Sequence, residues 1–329
     1  MYPEANALKQ LFDRSHTIVV VSHRSPDGDT LGANLALSMM LEVTGHDVIS
    51  YCQDPPGPSL LFLPGIQRIT TDRTVFSTKP IDLVIGVDAG DLDRLGLRDI
   101  TAQWSNPRPL VFADIDHHAI NDQFGVVNIV DEHAASTTHI LYQLFRAWNV
   151  RITPDIATAL LCGILTDTGS FSNLATTAEA MKSASELMGY GGRMKQVVTH
   201  TLQQRSVKSL KLWGRAFSRL KLDPKTGWVT TAITYDDLQE YGASDEDVSG
   251  FTNFLISLDT AQALAVYVEQ EQGIIRASLR SKREDVDVAK IALQYGGGGH
   301  KKAAGFTCQG AVTESPSGWV FKPAQAHVV

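Results

Sequence analysis

Four apolar positions, Ile18 to Val21, run without interruption into Ser22 and His23. A short apolar run bounded by turn residues predicts a strand covered on both faces. Past Pro26 and Gly28 the period changes. Leu31, Leu35, Leu37 and Leu41 predict a helix opening at Thr30. Asp47–Tyr51 reads as a short second strand, which Pro55, Pro56 and Pro58 end, and Ile81–Val87 and Leu110–Ile115 repeat the buried-strand pattern. Helices are predicted over Glu4–Arg14, Thr137–Trp148 and Asp155–Leu165, the last with Pro154 at its first position. Alternating strands and helices predict a parallel sheet with helices on both faces, hence an α/β fold.

From Gly189 to Lys195 the chain turns glycine-rich and basic, which reads as a domain boundary. Beyond it lies a predicted helix from Thr201 to Leu220 carrying Arg205, Lys208, Lys211, Arg215 and Arg219. Strands follow at Trp228–Thr234, Ala263–Glu269 and Ile274–Arg280, with a hairpin signal at Gln270–Gly273 and a helix at Val286–Leu293. The expected division is a first domain over 1–188, a linker over 189–200 and a smaller α/β domain over 201–329. The segment Thr313–Val329 has no clear periodicity and is expected to be loosely ordered.

A chain of 329 residues is long for one core, which agrees with two domains. The formal net charge of −7 means that a polyanionic ligand must be met by a local basic patch. Cys52, Cys162 and Cys308 are widely spaced and form no metal-like pair, which suits a reducing compartment. No stretch is apolar for long enough to span a bilayer, and the N-terminus lacks the order of a signal peptide. The expectation is a cytoplasmic protein without a membrane partner.

Polar residues gather where the apolar runs stop. His23, Asp27 and Asp29 follow the first strand, Asp88 follows Val87, and Asp116, His117 and His118 follow Ile115, while Asp167 ends a core helix. In an open α/β sheet the strand ends form the edge where ligands bind. Carboxylates crowded there repel one another, and a divalent cation removes that cost. Oxygen and imidazole donors without thiolate favour Mn²⁺ or Mg²⁺ over a structural zinc. Seven or eight donors suit two ions roughly 3.5–4 Å apart, sharing a carboxylate and able to clamp both oxygens of a displacement at phosphorus. Asp88, a lone Asp at the end of a central strand, is the natural bridge. The plainer alternative makes Asp27 and Asp29 helix caps and Asp167 a terminator, although a carboxylate at a helix C-terminus opposes the dipole.

The segments His23-Arg-Ser-Pro-Asp-Gly-Asp29, Val87-Asp88, Asp116-His117-His118, Leu165-Thr-Asp167-Thr-Gly and Gly296-Gly-Gly-Gly-His300 with Ala303-Ala-Gly305 resemble the DHH phosphoesterase superfamily. The likeness is strongest to its NrnA-type nano-RNases, which also act as pAp phosphatases, and it extends over residues 18–307. It implies a DHH domain followed by a DHH-associated domain across a cleft. It implies two ions, Mn²⁺ with Mg²⁺ or Co²⁺ as substitutes. His23 and Asp27 would hold one, Asp29, His117 and Asp167 the other, and Asp88 both. Asp116 would orient a ligand imidazole, and His118 would face the substrate phosphate. Arg280, His300 and the backbone of Gly297, Gly298 and Gly299 would contact the substrate from the second domain. Short RNA oligonucleotides and pAp are the implied substrates, and a homodimer is compatible with the resemblance. His139 stands where the family often has Glu, and the C-terminus lacks the family's usual closing amphipathic helix.

Rival readings within the superfamily are a manganese-dependent inorganic pyrophosphatase, which would lack the Gly296–His300 signature, and a cyclic- or linear-dinucleotide phosphodiesterase. A RecJ-like exonuclease would be longer. A nucleotide-binding protein without turnover would be expected to have lost a ligand Asp, and this sequence keeps them all.

Overall fold

The computed structural model describes residues 2–102, 104, 109–203, 206–248 and 250–324. The chain divides into two compact units, Met1–Gln204 and Arg205–Val329.

The first unit is built on six strands, β1 (Thr17–Ser22), β2 (Asp47–Cys52), β3 (Ile69–Thr70), β4 (Leu83–Val87), β5 (Phe112–Asp116) and β6 (Val127–Val130). They form one all-parallel sheet in the order β3-β2-β1-β4-β5-β6. Successive residues of β1 go to opposite faces. Ile18 and Val20 enter a core with the helices Gly28–Val43, Thr137–Ala147 and Pro154–Asp167, whereas Val19 and Val21 pack with Tyr51, Phe76 and Leu95. Both faces are therefore covered, which is why the strands read as unbroken apolar runs. The strand order reverses direction between β1 and β4, and such a switch point opens a crevice at the carboxyl ends of those two strands.

The helices Gly28–Val43 and Pro154–Asp167 cross closely. A Cβ at Gly32 would lie 2.4 Å from the Ala159 carbonyl oxygen, and one at Gly163 would lie 2.1 Å from Asp29 Oδ1. No side chain fits at either position, and the glycines allow the two helices to bring Asp29 and Asp167 to the same edge.

The second unit carries β7 (Lys221–Leu222), β8 (Trp228–Ile233), β9 (Ala263–Glu269), β10 (Ile274–Ser281), β11 (Gly298–His300), β12 (Ala303–Ser315) and β13 (Gly318–Pro323). The sheet runs β11-β12-β10-β9-β8-β7, parallel only at β8–β9, with β13 paired to β12. The β9–β10 pair is the hairpin signalled at Gln270–Gly273.

Three expectations are corrected. The stretch 189–200, read as a linker, packs with the first unit. Its helix Met194–Val198 buries Val197 in the first core. The helix placed at Thr201–Leu220 spans only Val207–Ser218, capped by Ser206, and Arg205 lies outside the described residues. The segment Thr313–Val329 is ordered as far as Ala324: Phe321 is buried with Phe306 and Tyr295, and Trp319 donates from its backbone to Thr230 and from its indole to the Arg219 carbonyl. A short strand with an alternation of two residues leaves too little period to read, and residues 325–329, with His327, lie outside the described set. Among the described residues no helix is long and apolar enough to cross a membrane.

Candidate metal and phosphate site

The turn after β1 sets the first donors. His23 lies beyond the last β1 residue, its backbone N–H bonded to Thr30 Oγ1, which itself donates to the Val87 carbonyl (both 3.2 Å). Thr30 thus ties the end of β1 to the end of β4. His23 Nδ1 lies 2.8 Å from the Arg24 carbonyl, so this nitrogen carries a proton and Nε2 is the ring atom turned toward the carboxylates. Nε2 faces Asp88 Oδ2 at 3.4 Å and Asp27 Oδ2 at 3.7 Å. Asp27 also caps the helix Gly28–Val43, its Oδ1 accepting from the N–H groups of Asp29 and Thr30. Capping and facing His23 use different oxygens of one carboxylate.

Asp88 follows β4 in a left-handed conformation, φ 63°, that a non-glycine residue rarely holds without a reason. Its Oδ1 lies 3.4 Å from His117 Nε2 while Oδ2 faces His23. The ring of His117 also approaches Asp167 Oδ2 at 3.2 Å and Asp29 Oδ2 at 4.0 Å. Three overlapping trios result: His23, Asp27 and Asp88; Asp29, His117 and Asp167; and Asp88, His117 and His118. Donor atoms 3.2–4.0 Å apart match the edges of a coordination shell with bonds of about 2.1 Å. The set is all oxygen and imidazole, so the site fits a divalent cation.

Burial alone would lower the His23 ring, but its bonds to Asp27 and Asp88 raise it to about 10. Burial would likewise lower His117, but its bond to Asp88 and the charges of Asp167 and Asp29 raise it well above the usual imidazole value. Burial, followed by the neighbouring Asp88, pushes Asp29 up to about 7. Asp29 is also the anchor of a second helix: the Thr137 and Thr138 N–H groups and Thr138 Oγ1 donate to it at 2.6, 2.9 and 2.7 Å.

Asp116 is engaged on both oxygens. Its Oδ1 accepts from the His117 N–H at 2.8 Å and takes His118 Nδ1 at 2.7 Å, and Oδ2 accepts from Asn121 Nδ2 at 2.9 Å. It stands apart from the trios and holds the His118 ring. Asn121 Nδ2 also donates to Asp114 at 2.7 Å, and burial raises that carboxyl to about 8. Asn121, Asp114, Thr137 and Thr138 were not singled out from the sequence. The polar residues Ser136-Thr137-Thr138 before an apolar helix were a legible capping signal, but that such a cap serves Asp29 was not.

The second unit brings its own predicted residues together. Ala303 of β12 is the register partner of both Arg280 on β10 and His300 on β11, so the two lie in one row with only an alanine between them. A Cβ at Gly297 would lie 2.2 Å from the Gly305 carbonyl, and one at Gly299 2.6 Å from that of Ala303. These two glycines are required by the strand packing, whereas Gly298 has open space beside it. The charges of the helix Val207–Ser218 are used inside this unit. Lys208 donates to the Gly242 carbonyl, Lys211 lies over the Tyr241 ring, Arg215 pairs with Glu240, and Arg219, just beyond the helix, pairs with Asp237.

Residues 17–164 match the DHH family, N-terminal domain, and residues 228–315 match the DHHA1 domain. The chain belongs to the DHH family. It is similar to a bifunctional oligoribonuclease and PAP phosphatase NrnA of Thermus thermophilus, 32% identical over 293 residues that cover 89% of this chain and 84% of that one. A probable protein of the same name from Streptococcus mutans is 28% identical over 88% of each chain. Among solved structures, an exopolyphosphatase-related protein from Bacteroides fragilis superposes with a TM-score of 0.82, covering 92% of this chain and 90% of its own at 24% identity. That likeness supports the fold.

Proposed function

We propose that this chain is a two-metal phosphoesterase that hydrolyses short oligoribonucleotides to mononucleotides and 3'-phosphoadenosine 5'-phosphate (pAp) to AMP. The observation that carries this reading is Asp88, whose two oxygens face two different imidazoles, each within its own trio of donors. That is what a carboxylate shared by two cations requires. The substrates are those in the names of relatives that cover most of the chain.

Mn²⁺ is the proposed ion, with Mg²⁺ or Co²⁺ as substitutes. His23 Nε2, Asp27 and Asp88 would hold one ion, and Asp29, His117, Asp167 and Asp88 the other. When bound, such a pair supplies a hydroxide nucleophile near neutral pH and neutralises charge on the phosphoryl oxygens. Asp116 holds the His118 ring through Nδ1, which supports a role in which the opposite side of the imidazole would face the substrate phosphate and protonate the leaving oxygen. Arg280, His300 and the N–H groups of Gly297, Gly298 and Gly299 are proposed to bind another part of the substrate.

The test is turnover with Mn²⁺ of pAp, a ribodinucleotide, pyrophosphate and cyclic di-AMP, side by side. The expected result is release of phosphate and AMP from pAp and of mononucleotides from the dinucleotide. Preference for pyrophosphate or the cyclic dinucleotide would select a different branch of the superfamily, and binding of nucleotides without turnover would leave no enzyme.

A further inference from the structure

Arg280 differs from Arg283, Lys301 and Lys302, which are ion-paired, and from Lys282, which is more exposed to solvent and held by a carbonyl. Arg283 pairs with Asp285, and Lys301 and Lys302 both pair with Glu284. Lys282 donates to the Leu258 carbonyl. The Arg280 guanidinium is half-buried, and among the described residues no carboxylate lies within ion-pair distance of it. Its Nη1 donates to the Leu279 carbonyl and its Nη2 to Asn253 Oδ1, each at 3.0 Å. A guanidinium has five N–H donors and no acceptor, so the Asn253 amide oxygen must face it, and donors remain for a further ligand. Removing a cation partly from water without a counter-ion is costly, and burial pulls the Arg280 pKa down accordingly.

We propose that Asn253 is a positioning residue, which holds the Arg280 guanidinium in place while leaving its charge uncompensated for an anionic group of the substrate. The inference rests on the phosphoesterase reading and names a residue that the sequence motifs did not indicate. Its chemical content lies in the choice of amide over carboxylate. An Asp at 253 could accept the same hydrogen bond and would make a stronger, charge-assisted one. It would also neutralise the cation and compete with a phosphate for the same donors. A neutral acceptor orients the fork without that competition. Arg280 shares its row with His300 across Ala303, so fixing the guanidinium also fixes its spacing from the imidazole.

The experiment uses the full Mn²⁺-loaded chain and the variants N253A and N253D, with kcat and KM for pAp and calorimetric binding of inorganic phosphate. Asn253 is exposed, and unfolding midpoints check that both variants keep the fold. N253A should raise KM by about 3–10-fold, the net worth of one ordinary solvent-accessible hydrogen bond, with kcat changed less. N253D, although isosteric, should be worse, about 10–100-fold in KM and in phosphate affinity. In an R280A background, Asn253→Asp should lose most of its effect, because the residue acts through Arg280. A purely structural role predicts the opposite order, with N253D close to wild type, and that result overturns the proposal. Wild-type protein that binds phosphate but turns over neither pAp nor a dinucleotide would refute the functional reading instead, and the phosphate titration would still decide the role of Asn253.

Discussion

Gly163→Ala adds one methyl group in the middle of a buried helix and tests whether the helix crossing sets the site. The new Cβ would lie 2.1 Å from Asp29 Oδ1, 2.3 Å from Thr138 Oγ1 and 2.6 Å from Thr138 Cγ2. Ordinary contact begins near 3.4 Å, so the Asp29 oxygen must retreat by about 1.3 Å (3.4 − 2.1). It is not free to retreat, because three donors of Thr137 and Thr138 hold that carboxylate. Overpacking of this kind costs about 1–3 kcal/mol, while alanine in place of glycine returns about 1 kcal/mol of helix propensity. The net loss of stability is therefore modest, roughly 0–2 kcal/mol. Misplacing a catalytic donor by 1 Å costs about 100-fold in rate. The variant should fold, bind one Mn²⁺ weakly or not at all by titration calorimetry, and lose about two orders of magnitude in turnover of pAp. Gly214→Ala is the control: it is helical, with nothing within 4 Å of its added Cβ, and should gain about 1 kcal/mol with metal binding unchanged. A Gly163→Ala protein that binds two ions and turns over like wild type would refute the role given to the crossing and to Asp29.

Asp88→Ala should abolish turnover and reduce the Mn²⁺ stoichiometry measured by calorimetry, since both trios that share this carboxylate lose a donor. Asp116→Asn should be milder, about 10–100-fold in metal affinity or activity, because it acts through His118 and the His117 backbone; complete loss of metal would make it a ligand. Burial alone would raise the Asp237 carboxyl, but bonds from Arg219 and Thr234 hold it below its usual range. A depressed folded pKa stabilises above the unfolded value of about 3.9 and is lost as pH falls through the folded one. Asp237→Asn should therefore cost about 3 kcal/mol at neutral pH in urea unfolding, with the gap to wild type closing below roughly pH 4. Ribo-oligomers of two to about five nucleotides should be degraded much faster than a twenty-mer on gels, since the net charge of −7 repels a long polyanion; equal rates across the series would exclude the short-substrate reading.

What could be read from the sequence followed from how completely each element is buried. β1, β4 and β5 are covered on both faces, so their apolar runs and the polar residues that end them were visible. β3 has two residues and β6 is largely half-exposed, and neither has enough pattern to announce itself. The helix Ala178–Gly189 was missed although Thr177 caps it, because its small and polar residues dilute the stripe of Ala180, Ala184 and Leu187. At the site, the eight candidate side chains follow strand and helix ends, and the structure brings them together there. The residues that hold them came from elsewhere in the chain: Asn121 from a loop, Thr137 and Thr138 from a helix start, and Gly32 and Gly163 from helix interiors. Besides the capping signal at Ser136–Thr138, glycine inside an otherwise apolar helix was available as a signal, since it marks a close approach that a side chain would block.

The way the fold compensates its carboxylates separates those that need a ligand from those that do not. Asp27 and Asp29 each sit at a helix N-terminus, where backbone N–H groups and the positive end of the dipole offset their charge. Asp116 is satisfied on both oxygens by His117, His118 and Asn121. Asp88 has Thr137 Oγ1 at 3.1 Å as well as two imidazoles. Asp167 sits at the C-terminal end of its helix, where the dipole is unfavourable, and among the described residues its carboxylate pairs with the His117 ring and accepts no backbone N–H. Burial, and then the charge of Asp29, accordingly push it well above the usual carboxylate range. A carboxylate placed where neither backbone nor dipole supports its charge is uneconomical for a structural role. It becomes favourable once a cation stands between it, His117 and Asp29, so the helix that ends at Asp167 is intelligible as one half of a metal site.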